Sequence, residues 1–229
     1  MKTVGIIGGL SWHSTLAYYE IINRQVAQKQ GSYSCPELIL VQTDFNIIMD
    51  HVKFERWNEI AEILLVLARK LEQSGADFMI IACNTVHKVV PLIEDQVGIP
   101  ILHIVDVVAS KALSLGVRRV ALIGGHTTMT DGFFADRLFE RQVETLLPDE
   151  ADQRMIHHAL ETELLSGVFL PATRAKFEQV IDRLVQRGAG AVILGCTEFG
   201  KLLPPGTCSV PLLDTAQIHS MAAAEMSLT

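Results

Sequence analysis

The chain has 229 residues, 49% of them hydrophobic, with a formal net charge of −7 and an isoelectric point near 5.6. That length suits one large domain or two small ones with a real core, and the acidic balance argues against nucleic acid, which is met by a basic patch. No apolar run approaches the roughly 20 residues that span a bilayer, and no charged leader with a cleavage site precedes the first strand, so no membrane partner and a cytoplasmic address are expected.

Four cysteines, Cys35, Cys83, Cys196 and Cys208, are too few and too scattered for a secreted disulfide scaffold. No CxxC pair and no His/Cys cluster at zinc-ligand spacing occurs, so no metal site is expected.

In chain order, Thr3 to Ile7 reads as a short buried strand, followed by Gly8-Gly9-Leu10-Ser11. Leu16, Tyr19, Ile22 and Val26 then recur at helical spacing, with Ser11 or Ser14 as N-cap. The turn lacks the GxGxxG spacing of a dinucleotide site. Leu38 to Thr43 is a second strand leading into Asp44-Phe45-Asn46, where Asp44 either caps a helix or faces a site. A long helix with Trp57, Ile60, Ala61, Leu64, Ala68 and Leu71 on one face follows, stopped by Gly75. Phe78 to Ala82 is a third strand and ends on Cys83. Ile99-Pro-Ile-Leu-His-Ile104 is a short fourth.

The pattern then restarts. Arg119-Val-Ala-Leu-Ile-Gly-Gly125 echoes Lys2 to Gly9. A helix with Phe177, Val180, Ile181, Leu184 and Val185 precedes Gly188, as the earlier helix precedes Gly75. Gly188-Ala-Gly-Ala-Val-Ile-Leu-Gly-Cys196 repeats Gly75-Ala-Asp-Phe-Met-Ile-Ile-Ala-Cys83, each cysteine eight residues after the glycine. Val210-Pro211 echoes Ile99-Pro100. One β/α unit used twice implies an α/β fold of two Rossmann-like domains, each with a four-stranded parallel sheet flanked by helices. The expected division is 1–104 plus 215–229, and 105–214, with the C-terminal helix returning to the first domain.

Ligands in such sheets bind beyond the carboxyl ends of the strands. Gly8-Gly9, Asp44, Cys83, Gly124-Gly125 and Cys196 all fall there, and the duplication would set the two cysteines on either side of a cleft between the domains. Inverting a stereocentre by proton transfer needs a matched acid and base that exchange roles in reverse. Two cysteines meet that need, because a thiolate is a usable base and a thiol a usable acid near neutral pH. His87, four residues after Cys83, either tunes the thiol or is a solvated or capping histidine. His103 and Asp214 stand at matching places after the Pro strands and read as anchors. Cys35 and Cys208 read as structural or incidental.

Ile81-Ala-Cys-Asn-Thr85 and Val192-Ile-Leu-Gly-Cys-Thr-Glu-Phe-Gly-Lys-Leu202 resemble the two signatures of the aspartate/glutamate racemase family. Gly5-Ile-Ile-Gly-Gly-Leu-Ser-Trp12 and Pro211-Leu-Leu-Asp-Thr215 fit as well, so the resemblance spans essentially the whole chain. It implies a cofactor-independent racemase acting on a small-molecule amino acid, commonly as a homodimer, with Cys83 and Cys196 as the bases. Asn84, Thr85 and Thr197 would hold the substrate α-carboxylate. Gly9, Ser11, Thr127 and Thr128 would line the remaining site, and Asp44 and Glu198 are candidates at its edge.

Three departures bear on the substrate. Aspartate-specific relatives carry an Arg after the second strand, where this chain has Asp44-Phe45-Asn46. Relatives often carry a Lys shortly after the position of Gly167, where it has Val-Phe-Leu-Pro171. Many have Glu where His13 stands. The expected substrates therefore extend from aspartate or glutamate to a neutral or broad set. A related two-cysteine hydantoin racemase or maleate isomerase is the alternative. A decarboxylase on this scaffold needs only one of the cysteines. A thiol-redox or non-catalytic binding protein is a further class; a redox pair would need Cα atoms within about 7 Å.

Overall fold

Val4–Gly8 forms β1, and all five of its residues are buried. A strand covered on both faces has no polar side, so Val-Gly-Ile-Ile-Gly runs without alternation. The structure, a computed structural model, describes residues 1–229. After β1 come α1 (Trp12–Gln30), β2 (Leu38–Gln42), α2 (Phe45–Lys53), α3 (Trp57–Gln73), β3 (Phe78–Ile81) and the short α4 (Val90–Ile93). β1 pairs in parallel with β2 on one side and β3 on the other, giving the order β2-β1-β3. Parallel neighbours need crossovers, and α1 and the α2–α3 pair supply them.

α3 buries Ile60, Ala61, Leu64, Leu67, Ala68 and Leu71 against the sheet. It ends at Gly75, whose φ of 91° lets the Ala76 N–H donate back to the Leu71 carbonyl at 3.1 Å. α9 (Pro171–Gln186) ends in the same way, with Gly188 at φ 99° and the Ala189 N–H on the Leu184 carbonyl at 3.1 Å. Each is the left-handed helix terminus that glycine adopts cheaply, and it explains why both cysteine strands open with Gly-Ala.

The second half runs α5 (Ile104–Ser114), β4 (Arg119–Gly124), α6 (His126–Thr130), α7 (Phe133–Glu140), β5 (Glu144–Leu146), α8 (Glu150–Thr162), α9, β6 (Ala191–Gly195), α10 (Thr197–Leu202), β7 (Leu212–Asp214) and α11 (Thr215–Ser227). Its sheet has four parallel strands in the order β5-β4-β6-β7. The chain divides into two compact units, Met1–Ile104 with His219–Thr229, and Val105–Ile218. No helix is long and apolar enough to cross a membrane.

Two sequence expectations change. The first sheet has three strands and not four, because the segment at 99–104 contributes only a parallel bridge between Met79 and Ile101. The Met79 N–H bonds the Pro100 carbonyl and the Leu102 N–H bonds the Met79 carbonyl, both at 2.9 Å. Pro100 has no N–H to extend the ladder. The helix after Asp44 is broken in two, with Glu55 between the pieces at φ 54°. Neither Gly nor Pro marks that break in Lys53-Phe-Glu-Arg56.

The first unit also buries a group of rings. Tyr18 on α1, His87, His103 and His219 on α11 are each at most 4% exposed. The His219 Nε2–H donates to the Leu102 carbonyl at 2.7 Å. A carbonyl only accepts, so Nδ1 of the neutral ring is the acceptor, and it takes the Tyr18 hydroxyl at 3.0 Å. Burial pushes the His219 imidazolium down to about 4, against the raising effect of the Leu102 bond.

The folded value lies below the roughly 6.5 of an unfolded histidine, so the unfolded chain takes up this proton first as the pH falls. The stabilisation is present above about pH 6.5 and is lost towards about pH 4. The urea midpoint of the wild type is expected to drop between about pH 7 and pH 4.5. In His219→Gln the midpoint at neutral pH is lower, but it changes less across that window. Equal slopes for the two proteins would remove His219 as the cause.

Candidate active site

In each sheet the chain leaves the central strand, adds a neighbour on one side, then crosses to the other. The carboxyl ends of β1 and β3, and of β4 and β6, are therefore the switch points where an open α/β sheet leaves a crevice. Ile7 pairs with Ile81, and extending that register sets Cys83 opposite Gly9. Gly124 pairs with Gly195, which sets Cys196 opposite Gly125. Each unit therefore places one half-buried thiol beside a glycine turn at the same point of its sheet.

The first turn is tightly built. Gly9 has φ 75°, and a side chain there would run into the Thr43 carbonyl. Its N–H donates to Thr15 Oγ1 at 2.9 Å, and the Thr15 hydroxyl donates on to the Ser11 carbonyl at 3.2 Å. Ser11 sits at φ 70°, a conformation that L-residues avoid and that gathers at functional turns. It precedes α1 without capping it through its side chain, and Ser14 lies inside the helix. Thr15, which nothing local in the sequence singles out, is what holds the turn.

After β3, the Cys83 N–H donates to the Ile81 carbonyl at 2.8 Å and the Ala82 N–H to the Ile7 carbonyl at 3.0 Å. Buried Asn84 precedes a short 3₁₀ turn, Thr85–Val89, that begins with half-buried Thr85. His87 belongs to this turn and is 1% exposed, so it is neither solvated nor an ordinary cap. Its Nδ1–H donates to the Cys83 carbonyl at 2.7 Å. Asp44 is exposed, and its side chain accepts the Asn46 N–H at 2.9 Å as the N-cap of α2.

The second unit holds its cysteine differently. Cys196 Sγ donates to Glu198 Oε2 at 2.9 Å, and the Thr197 hydroxyl donates to the same oxygen at 2.7 Å. Glu198 is 5% exposed, so this carboxylate takes its solvation from those donors. Thr127 is half-buried at the start of α6, and Thr128 is buried with its methyl against Gly124 and Gly195. Asp214 accepts the Gln217 N–H at 3.0 Å at the start of α11. Burial raises its pKa, the backbone N–H groups of Gln217 and Ala216 lower it, and the charge of Glu198 raises it again. Cys208 packs on the core of this unit, and burial pushes its thiol up. Cys35 is exposed, and exposed His13 stacks on Trp12 at 3.6 Å. No group of three or more His, Cys, Asp or Glu side chains could hold a metal ion.

A family model described as Asp/Glu/hydantoin racemase matches residues 7–223. A crystal structure from Yersinia pestis, described as a candidate Asp/Glu racemase, shares 35% identity over the whole of both chains with a TM-score of 0.95. An aspartate racemase homologue from Pyrococcus horikoshii OT3 shares 32% identity over the whole of both chains, with a TM-score of 0.89. The broad specificity amino-acid racemase RacX of Bacillus subtilis is 22% identical over 93% of this chain and 92% of its own length.

The turn at Gly9 is open to a direct test. Gly9→Ala forces an L-residue into the left-handed region and against the Thr43 carbonyl, at an expected cost of about 2–4 kcal/mol. Urea unfolding reads this as a lower midpoint with an unchanged slope. A variant as stable as the wild type would show that the turn relaxes freely.

Proposed function

The chain belongs to the Asp/Glu/hydantoin racemase family, and on that footing we propose that it racemises amino acids, one of Cys83 and Cys196 taking the proton of the substrate α-carbon and the other supplying a second proton to it. Its enzyme class is isomerase, of the racemase type. The observation that supports the two-thiol reading is the equivalence of Cys83 and Cys196 within their own units. Each follows the strand next to the central one, opposite a glycine turn, at a switch point.

In the proposed reaction one cysteine starts as thiolate and takes the α-proton as the Cα–H bond breaks. The electron pair passes into the adjacent carboxylate, giving an enediolate. The other cysteine, starting as thiol, delivers its proton to the opposite face of the same carbon. Charge and protons balance, and the reverse reaction exchanges the two roles. Backbone N–H groups, that of Thr197 among them, act with Asn84 and Thr85 to bind the carboxylate as its charge grows, which is where preorganised donors lower the barrier most. Gly9, Ser11, Thr127 and Thr128 shape the surrounding walls. Glu198 accepts from Cys196 Sγ, which supports Cys196 as the group that starts with its proton. Asp44, the N-cap of α2, stays a candidate at the edge of the site.

We further propose a broad or neutral amino acid range. The stretch after β2, Asp44-Phe-Asn-Ile-Ile-Met49, contains no cation to grip a side-chain carboxylate, and neither does Gly167-Val-Phe-Leu-Pro171. The likeness to a broad specificity relative points the same way. A homodimer is the proposed assembly. Exposed Trp12, Leu16, Tyr19 and Tyr33 on and after α1 support it, and sedimentation measures it.

Proton NMR in D₂O with a panel of L- and D-amino acids tests the reaction. The wild type is expected to exchange and invert the α-proton, and inversion is expected to fall at least about a thousandfold in both Cys83→Ala and Cys196→Ala. Retained inversion in either variant would falsify the two-thiol mechanism. An exclusive preference for aspartate defeats the broad-range reading. Glu198→Gln keeps the size and removes the charge, and it is expected to lower kcat by about tenfold or more with KM little changed.

A further inference from the structure

We propose that His87 is a positioning residue for Cys83, acting through the peptide carbonyl of that cysteine. The proposal rests on the reading of Cys83 as one of the two proton-transfer groups. The two units hold their thiols by different means, and the difference falls at equivalent positions. Two residues after Cys196 stands Glu198, which takes the thiol directly. Two residues after Cys83 stands Thr85. Four residues after Cys83 stands His87, whereas four after Cys196 stands Gly200, where a side chain would collide with the Asp214 carboxylate. One unit sets a carboxylate on Sγ, and the other sets an imidazole N–H on the carbonyl of its cysteine.

The geometry makes this a rigid support. The Cys83 N–H is tied to the Ile81 carbonyl at 2.8 Å, and its carbonyl is tied to His87 Nδ1 at 2.7 Å. With both peptide groups of Cys83 fixed, the direction of its Cα–Cβ bond is fixed too. The His87 ring is itself held. Its centroid lies 4.8 Å from that of His103 and 5.6 Å from that of His219, both in edge-on contact. His219 is locked in turn by the Tyr18 hydroxyl and the Leu102 carbonyl. Filling this volume with leucine or phenylalanine would avoid the cost of burying three imidazoles. What apolar side chains cannot supply is an N–H aimed at the Cys83 carbonyl from a ring that cannot turn.

The test uses two polar substitutions that differ in where they place an amide. His87→Asn sets an N–H near the position of Nδ1, and His87→Gln sets it near that of Nε2. Racemisation by the full-length protein is measured for both beside the wild type and Cys83→Ala. Circular dichroism and thermal melting check each fold. The expected result is kcat within about threefold of wild type for His87→Asn. For His87→Gln a drop of about tenfold to a hundredfold is expected, with KM within about threefold, because a small misplacement of a reacting group carries a loss of that size. A His87→Gln enzyme equal to wild type, or a His87→Asn enzyme as impaired as His87→Gln, overturns the proposal. Retained activity in Cys83→Ala overturns the reading beneath it and the proposal with it. Should either His87 variant fail to fold, long-range ¹H–¹⁵N spectra of ¹⁵N-histidine-labelled wild type decide. A proton on His87 Nδ1 supports the bond to Cys83, and an unprotonated Nδ1 overturns it.

Discussion

At the carboxyl end of each central strand the backbone passes its neighbours too closely for any side chain, and the placement of both thiols depends on that contact. Around Gly8 the space is taken by the Thr15 side chain, and around Gly124 and Gly195 by the Thr128 methyl. In each unit a threonine from the following helix presses into the gap that glycine leaves, so strand end, turn and helix are fixed as one piece. The partner strand ends in the same layer, and its cysteine emerges beside the turn. A Cβ at Gly8 would stand 2.6 Å from the Thr15 methyl, and one at Gly124 3.0 Å from the Thr128 methyl, so the helix side chain would have to give way at each.

The two units repeat one plan down to single bonds. The Met79 N–H meets the Pro100 carbonyl and the Val192 N–H meets the Pro211 carbonyl, each at 2.9 Å, and each four residues before its cysteine. Against that common frame the differences lie beside the cysteines. Glu198 gives the second thiol a carboxylate partner, and His87 gives the carbonyl of the first cysteine an imidazole donor. The two cysteines, equivalent in the repeat, thus have unlike immediate surroundings.

What could be read in the sequence was what the chain decides locally. The Gly-Ala pairs at 75 and 188 are helix stops whose φ angles demand glycine, and the cysteines that follow lie at fixed offsets from them. Apolar runs such as Phe78–Ile81 and Ala191–Gly195 announce buried strands by themselves. β5 was invisible because Glu144–Leu146 is short, partly exposed and without a period. Asp44 could not be assigned because a cap and a site residue have the same signature; its bond to Asn46 shows the cap. The burial of His87 was beyond reach for another reason. The groups packed around it come from His103 and from α11, and their anchors pair Tyr18 with His219 and His219 with Leu102 across most of the chain. No local window contains both ends of such a contact.

The division of α11 between the units has a bearing on how the protein is made. Residues 219–229 belong with residues 1–104, yet they leave the ribosome only after all of residues 105–218. The earlier-synthesised unit is thus the later one to be completed, since nascent domains gather in order of emergence. Until His219 arrives, the ring beneath the first cysteine lacks its neighbour. Chains stalled short of that point would hold a finished second half and a His87 ring with one histidine neighbour in place of two.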